Sequence, residues 1–151
     1  MNYWLMKSEP DVYSIDTLKS EGTTHWEGVR NYQARNFMRD QMKIGDKILF
    51  YHSNAKPPGI VGLAEVCKEA HPDFFAWDTQ SKYFDPKASK ENPIWQMVDV
   101  KYVSKFDSIV SLDDLKGYPE IDGMLVTKKG SRLSVQPVSK EHYDFIVSLR
   151  S

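Results

Sequence analysis

Apolar positions fall in short runs broken by Pro, Gly and polar residues, and their period changes along the chain. Tyr-Trp-Leu-Met at 3–6 is a continuous apolar run closed by Ser8-Glu9-Pro10, which predicts a buried strand running into a loop. Ser14 has the chemistry of an N-cap and predicts a short helix over 15–20, stopped by Gly22. From 32 to 42 the spacing puts Ala34, Phe37, Met38, Gln41 and Met42 on one side and Arg35, Arg39 and Lys43 on the other, predicting an amphipathic helix that Gly45-Asp46 ends. Segments 47–53 and 60–67 are rich in β-branched and aromatic residues and flank a loop holding Pro57-Pro58, the pattern of a β-hairpin. Between 71 and 93 the sequence is irregular but aromatic, so its rings need packing partners. Strands are predicted at 95–103 and at 132–138, the latter at an edge because of Pro137, and a last helix runs from the Ser139 cap to about Leu149.

Helices and strands are interspersed, and the hairpin favours antiparallel pairing. The expected class is α+β: a bent, partly closed antiparallel β-barrel flanked by short helices, built as one domain over 1–151. Ser14-Ile-Asp-Thr-Leu-Lys and Ser111-Leu-Asp-Asp-Leu-Lys resemble each other, as two helix starts with a Ser cap and acidic first turn do.

Composition narrows the classes. A chain of 151 residues, 40% hydrophobic and 27% charged, builds its own core and is neither disordered nor fibrous. The first residues predict no signal peptide, and no apolar stretch approaches the ~20 residues of a membrane helix. A single cysteine, Cys67, excludes an internal disulfide and points to an intracellular setting, and the spacing of the four histidines predicts no metal site. The net charge of −1 is shared evenly between the halves, which argues against a protein that coats DNA and is compatible with a monomer. The excess is aromatic: 7 Phe, 8 Tyr and 4 Trp exceed what a core of this size absorbs and leave rings for a stacking pocket.

No dinucleotide, P-loop, zincin or serine-hydrolase motif is present, and adjacent His52 and Ser53 point to opposite faces of a strand, so they form no dyad. The informative stretch is Trp26-Glu-Gly-Val-Arg-Asn-Tyr-Gln-Ala-Arg-Asn36. In one reading the helix start and Arg30, Arg35 and Arg39 attract phosphate; in the other, Trp26 is core, Asn31 only a cap, and the arginines a solvated face. A base taken out of its helix is held by stacking and by polar groups on its edge. Trp26 offers the stack, Asn31 an amide, Ser53 a hydroxyl, and Asp85 or Asp99 a carboxylate for an exocyclic amine. Lys7 and Glu9 share strand parity and read either as an acid–base pair or as a structural ion pair, and the 128–132 segment with Arg132 reads as a further phosphate contact or a solvated loop.

Trp4-Leu-Met-Lys-Ser-Glu-Pro10, the Trp26–Asn36 block, Phe50-Tyr-His-Ser53, Gly59-Ile-Val-Gly-Leu-Ala64, Asn92-Pro-Ile-Trp-Gln-Met-Val-Asp-Val100 and Arg132-Leu-Ser-Val-Gln-Pro137 together resemble the EVE domain family. The resemblance implies a PUA-like fold, related to YTH and ASCH domains, that binds DNA or RNA carrying a modified cytosine or adenine by flipping the base into an aromatic pocket, without chemistry or cofactor. It implies a pocket made by Lys7, Ser8, Glu9, Trp26, Val29, Arg30, Asn31, Tyr51 and Ser53, with Asp85 and Arg132 at its margin. In that reading Trp26→Ala abolishes selectivity with the fold intact, and Arg35→Ala weakens all oligonucleotides equally. The alternative is an ASCH-like hydrolase of a modified nucleoside with Lys7 and Glu9 as the acid–base pair. A third reading is a protein-interaction adaptor. No Lys/Arg-rich import signal is evident, so a cytoplasmic protein is expected.

Overall fold

In the computed structural model, which describes residues 1–128 and 133–150, the first apolar run forms strand β1 (Tyr3–Ser8). Ser14 caps helix α1 (Ile15–Glu21), its hydroxyl accepting from the Thr17 amide, and Gly22 ends the helix with φ of 84°. Strand β2 (Thr23–His25) follows, then helix α2 (Tyr32–Asp40), β3 (Lys47–His52) and β4 (Gly59–Pro72). A 3-10 turn (Phe74–Trp77) leads through a long loop to β5 (Gln96–Ser111), α3 (Leu112–Lys116), β6 (Val135–Val138) and α4 (Lys140–Ser148).

The strands form one sheet in the order β2-β5-β4-β3-β1-β6. The expected hairpin is β3 against β4, and Pro137 lies on the edge strand β6. One pair departs from the antiparallel expectation: β1 runs parallel to β3, because α1, β2 and α2 lie between them and carry the chain back to the same end. Helix α2 also stops sooner than its pattern, at Asp40, where the Gln41 amide still reaches the Phe37 carbonyl. Asp46 then anchors the next turn, taking hydrogen bonds from the Trp4 indole, the Asn2 amide and the Lys43 amide, each at 3.0 Å.

The central strands are buried on both faces. Trp4 and Met6 of β1, with Ile48 and Phe50 of β3, pack into the core under α1 and α2. Their neighbours Leu5, Leu49 and Tyr51 enter a second core with Leu115, Tyr143 and Ile146 from α3 and α4. This two-sided burial is why both strands read as unbroken apolar runs rather than alternating ones. Gly62 permits the close approach on the first face, since a Cβ there would lie 2.5 Å from the Ser104 carbonyl and 3.0 Å from Ile15.

Candidate functional site

Where β1 ends beside β2 there is a cavity of about 390 Å³, within the range of small-ligand sites. The end of β1 supplies Lys7, Ser8 and Glu9, and the turn that follows supplies Val12 and Tyr13. The opposite wall is Thr24, His25, Trp26 and Glu27, and the long loop closes the rim with Lys82 and Tyr83.

These walls are fixed from behind. The Trp26 amide donates to Val98 of β5 at 2.8 Å, and its ring sits edge-on to Phe50 with centroids 5.5 Å apart. The Ser8 hydroxyl donates to the Tyr13 carbonyl at 2.6 Å, tying the turn after β1 to the strand. Asp73, fully buried, is the fastening of the far wall: its carboxylate accepts from the Gly28 amide at 2.9 Å, the Arg30 guanidinium at 3.0 Å and the Phe75 amide at 3.1 Å. Arg30 in turn donates to the Tyr83 carbonyl at 2.8 and 3.2 Å, so one guanidinium joins the Trp26 segment to the loop that closes the cavity. Gly28 adopts φ of 83° directly against the Tyr83 ring, where a Cβ would stand 2.5 Å from it.

Burial shifts a carboxyl and an ammonium of the cavity lining in opposite directions. Burial pushes the Glu27 carboxyl above its ordinary value, with Asp73 adding to the rise and a backbone hydrogen bond opposing it. Burial also lowers the Lys7 ammonium. Burial and the hydrogen bond to Glu21 push the Tyr13 phenol up to about 12, so it stays a neutral donor. Aromatic walls, a hydroxyl-bearing segment and partly desolvated charges suit a flat, polar-edged ligand such as a nucleobase.

An EVE domain model matches residues 2–149. Thymocyte nuclear protein 1 of Rattus norvegicus is 45% identical over 168 residues, spanning 98% of this chain and 73% of that protein. The chain belongs to the EVE domain family. A hypothetical protein from Leishmania major superposes on this EVE domain with a TM-score of 0.94 at 52% identity, covering 99% of this chain and 94% of that one. The human THYN1 protein, solved in complex with DNA containing 5-methylcytosine, superposes with a TM-score of 0.88 at 42% identity, covering 99% and 97%. The family places the six-stranded sheet and its short helices in the expected α+β, PUA-like class.

Of the residues singled out in the sequence, this EVE domain brings Lys7, Ser8, Glu9 and Trp26 together around one cavity. The others take different places. Val29 is packed in the core behind Trp26. Asn31 is the cap of α2, its side-chain oxygen accepting from the Ala34 amide at 3.0 Å. Tyr51 lies in the core on the other face of the sheet, because it alternates with Phe50, and the Lys7 ammonium stands 5.7 Å from its ring. The Ser53 amide donates to the Ser8 carbonyl behind the cavity rim. Asp85 accepts the Trp95 indole N–H at 2.8 Å, and that bond holds its carboxyl below the ordinary range.

The arginines are also engaged. Arg30 serves as the clamp already described, Arg35 donates to the Ile94 carbonyl and stacks 4.8 Å over Tyr32, and Arg39 pairs with Asp40. Arg132 lies outside the described residues. Trp26 itself is only 8% exposed and belongs to the core cluster, so the expectation that its removal spares the fold is corrected: the ring supports the cavity and the core together. The sequence reading passed over Tyr13 in the turn after β1 and Glu27 next to Trp26, and also Asp73 and Tyr83, whose roles depend on the long loop folding back onto Gly28.

Among the described residues, the one group suited to a metal ion is His25, His71 and Asp99, whose ligand atoms all lie within 4.8 Å of one another. Burial raises the Asp99 carboxyl, but hydrogen bonds from His25 and His71 outweigh it and hold it below the ordinary range.

Proposed function

We propose that this EVE domain reads a modified base in DNA: it takes the base out of the helix, holds it in the Trp26 cavity and performs no chemistry on it. The observation that carries this reading is the convergence of Trp26, Tyr13, Ser8 and Glu27 on one cavity of about 390 Å³. The likeness to the human protein solved with 5-methylcytosine DNA supplies the class of base. In this reading Trp26 provides the stacking face, worth roughly 1–3 kcal/mol for one base. The Glu27 carboxyl is the acceptor for the exocyclic amine that distinguishes cytosine from thymine, as carboxylates serve on that edge. A 5-methyl group adds apolar surface against the cavity wall, about 0.8 kcal/mol for one buried carbon. Lys82, at the cavity rim with its ammonium 5.1 Å from the Tyr83 ring, is the contact for the sugar-phosphate chain.

The test is a duplex with 2-aminopurine next to a single 5-methylcytosine. Extrusion of the methylated base unstacks the probe, so its emission should rise on saturation with protein and stay low with Trp26→Phe. Saturable binding with no change in emission defeats the flipped-base reading, and equal emission changes on unmethylated duplex defeat the selectivity. The same series in RNA shows which polymer is preferred.

A further inference from the structure

We propose that His25, His71 and Asp99 form a binding site for a zinc-type divalent cation, beside the base-reading cavity and sharing His25 with its wall. Three strands build it. The register of β2 against β5 sets His25 directly across from Asp99. On the other side of β5, β4 is irregular between Lys68 and His71, where three steps along β4 match two along β5. That extra residue brings His71 opposite Met97, two positions from Asp99 and therefore on the same face of β5. The result is convergence on a single atom: His25 Nδ1 lies 2.6 Å and His71 Nε2 2.9 Å from the same Asp99 oxygen.

The donor set is two imidazoles and a carboxylate, with the open side that a three-ligand zinc site retains. An ion with bonds of about 2.0–2.2 Å places its tetrahedral ligand atoms roughly 3.4 Å apart. The two contacts therefore open by less than an ångström when one cation replaces the two bridging protons. His25 has room for that movement, its side chain being 43% exposed, while His71 and Asp99 are held in place at 18% and 17%. Phe74 stands edge-on to the His25 ring at 5.6 Å and limits its rotation. A recess lined by Glu21, Thr23, Thr24, His25 and Asp99 gives the ion a way in and leaves its fourth position to water. Imidazole nitrogens favour zinc, copper, nickel and iron over magnesium or calcium, which prefer all-oxygen sites.

Tag-free protein stripped with a chelator is titrated with Zn²⁺ by calorimetry and with Co²⁺ by visible absorption. The proposal expects one ion per chain and a tetrahedral Co²⁺ spectrum. His71→Ala and Asp99→Asn each weaken binding by at least about 100-fold, since even the loss of an outer partner costs 10–100-fold. Circular dichroism of each variant establishes that it is folded, and Asp99→Asn keeps a hydrogen-bond acceptor for the histidines if His71→Ala disturbs the sheet. Cys67→Ser, which removes the one free thiol, leaves the affinity unchanged. Loss of binding in Cys67→Ser, or undiminished binding in both folded His71 and Asp99 variants, places the ion elsewhere and overturns the proposal. No saturable binding to the unmodified protein overturns it too, and leaves the cluster a hydrogen-bonded pin between strands.

Discussion

Removing the Asp73 carboxylate tests whether the Trp26 cavity is held from behind by this residue. Asp73 is fully buried and accepts three hydrogen bonds, one of them from the Arg30 guanidinium at 3.0 Å. Asp73→Ala removes both carboxylate oxygens and with them all three hydrogen bonds, and leaves Arg30, itself only 24% exposed, without its countercharge. Breaking such a pair from one side costs about 3–5 kcal/mol. For a chain of this size that corresponds to a fall in Tm of roughly 10–15 °C. Asp73→Asn keeps the volume and one acceptor oxygen and should lose less than half as much. Urea unfolding at pH 7 gives the free energies, and a double-mutant cycle with Arg30→Ala isolates the pair, with an expected coupling of about 1–3 kcal/mol. Because Arg30 also holds the Tyr83 carbonyl, limited proteolysis of folded Asp73→Ala should cut within 78–94 before the rest of the chain. A loss of less than about 1 kcal/mol with no coupling, or cleavage unchanged from the parent, refutes the reasoning.

Four further outcomes follow from the same geometry. Trp26→Ala should cost about 3–5 kcal/mol in urea unfolding because the ring is buried against Phe50, whereas Trp26→Phe should stay folded and lose base discrimination; a neutral Trp26→Ala contradicts the packing. Gly28→Ala combines an unfavourable φ with contact on the Tyr83 ring and should cost roughly 1–3 kcal/mol and weaken modified-DNA binding, read by melting and titration; a stabilised variant sinks the argument. Burial holds the His52 imidazole below its ordinary value, and its Nε2 accepts the Ile15 amide, so the neutral ring is the folded one. A depressed folded value gives stability that is full above pH ~6.5 and is lost as pH falls through the folded value. Melting temperatures from pH 8 to 5 should therefore fall below pH ~6.5, and His52→Gln should flatten that limb. Lys82→Ala should weaken methylated and unmethylated DNA alike and reduce the salt slope by about 0.9, while a methyl-selective loss would move Lys82 into base recognition.

The architecture was legible wherever one residue's chemistry decides a local outcome. Ser14, Ser139 and Asn31 are caps because a short polar side chain reaches an orphan amide, and each sits where its pattern indicates. The 95–103 pattern understated β5, which continues to Ser111, because its later positions alternate between Phe106 or Val110 and exposed polar groups without a steady period. β2 is only three residues long and owes its existence to pairing with β5, which no local pattern reveals.

The site divides the same way. Trp26 stood out in the block that precedes α2, whereas the placing of Lys7, Ser8 and Glu9 beside it followed from the resemblance to the EVE family. Tyr51 was misplaced relative to them for a reason the strand period contains: it alternates with Phe50, and only Phe50 faces Trp26. Asp73 and Tyr83 were hidden because their roles depend on a loop folding back onto Gly28. His25, His71 and Asp99 were hidden because the spacing that matters runs across three strands rather than along one.

The central claim is that the Trp26 cavity distinguishes a modified base from its parent. The most direct measurement is tryptophan fluorescence titration of the intact protein with two duplexes identical except for one 5-methylcytosine, at fixed low salt. The account predicts quenching that saturates at least about 5-fold lower in concentration for the methylated duplex, equivalent to ~1 kcal/mol for the buried methyl group and its contacts. It also predicts that this difference vanishes in folded Trp26→Phe. Superimposable curves for the two duplexes, or a preference that survives Trp26→Phe unchanged, would contradict it.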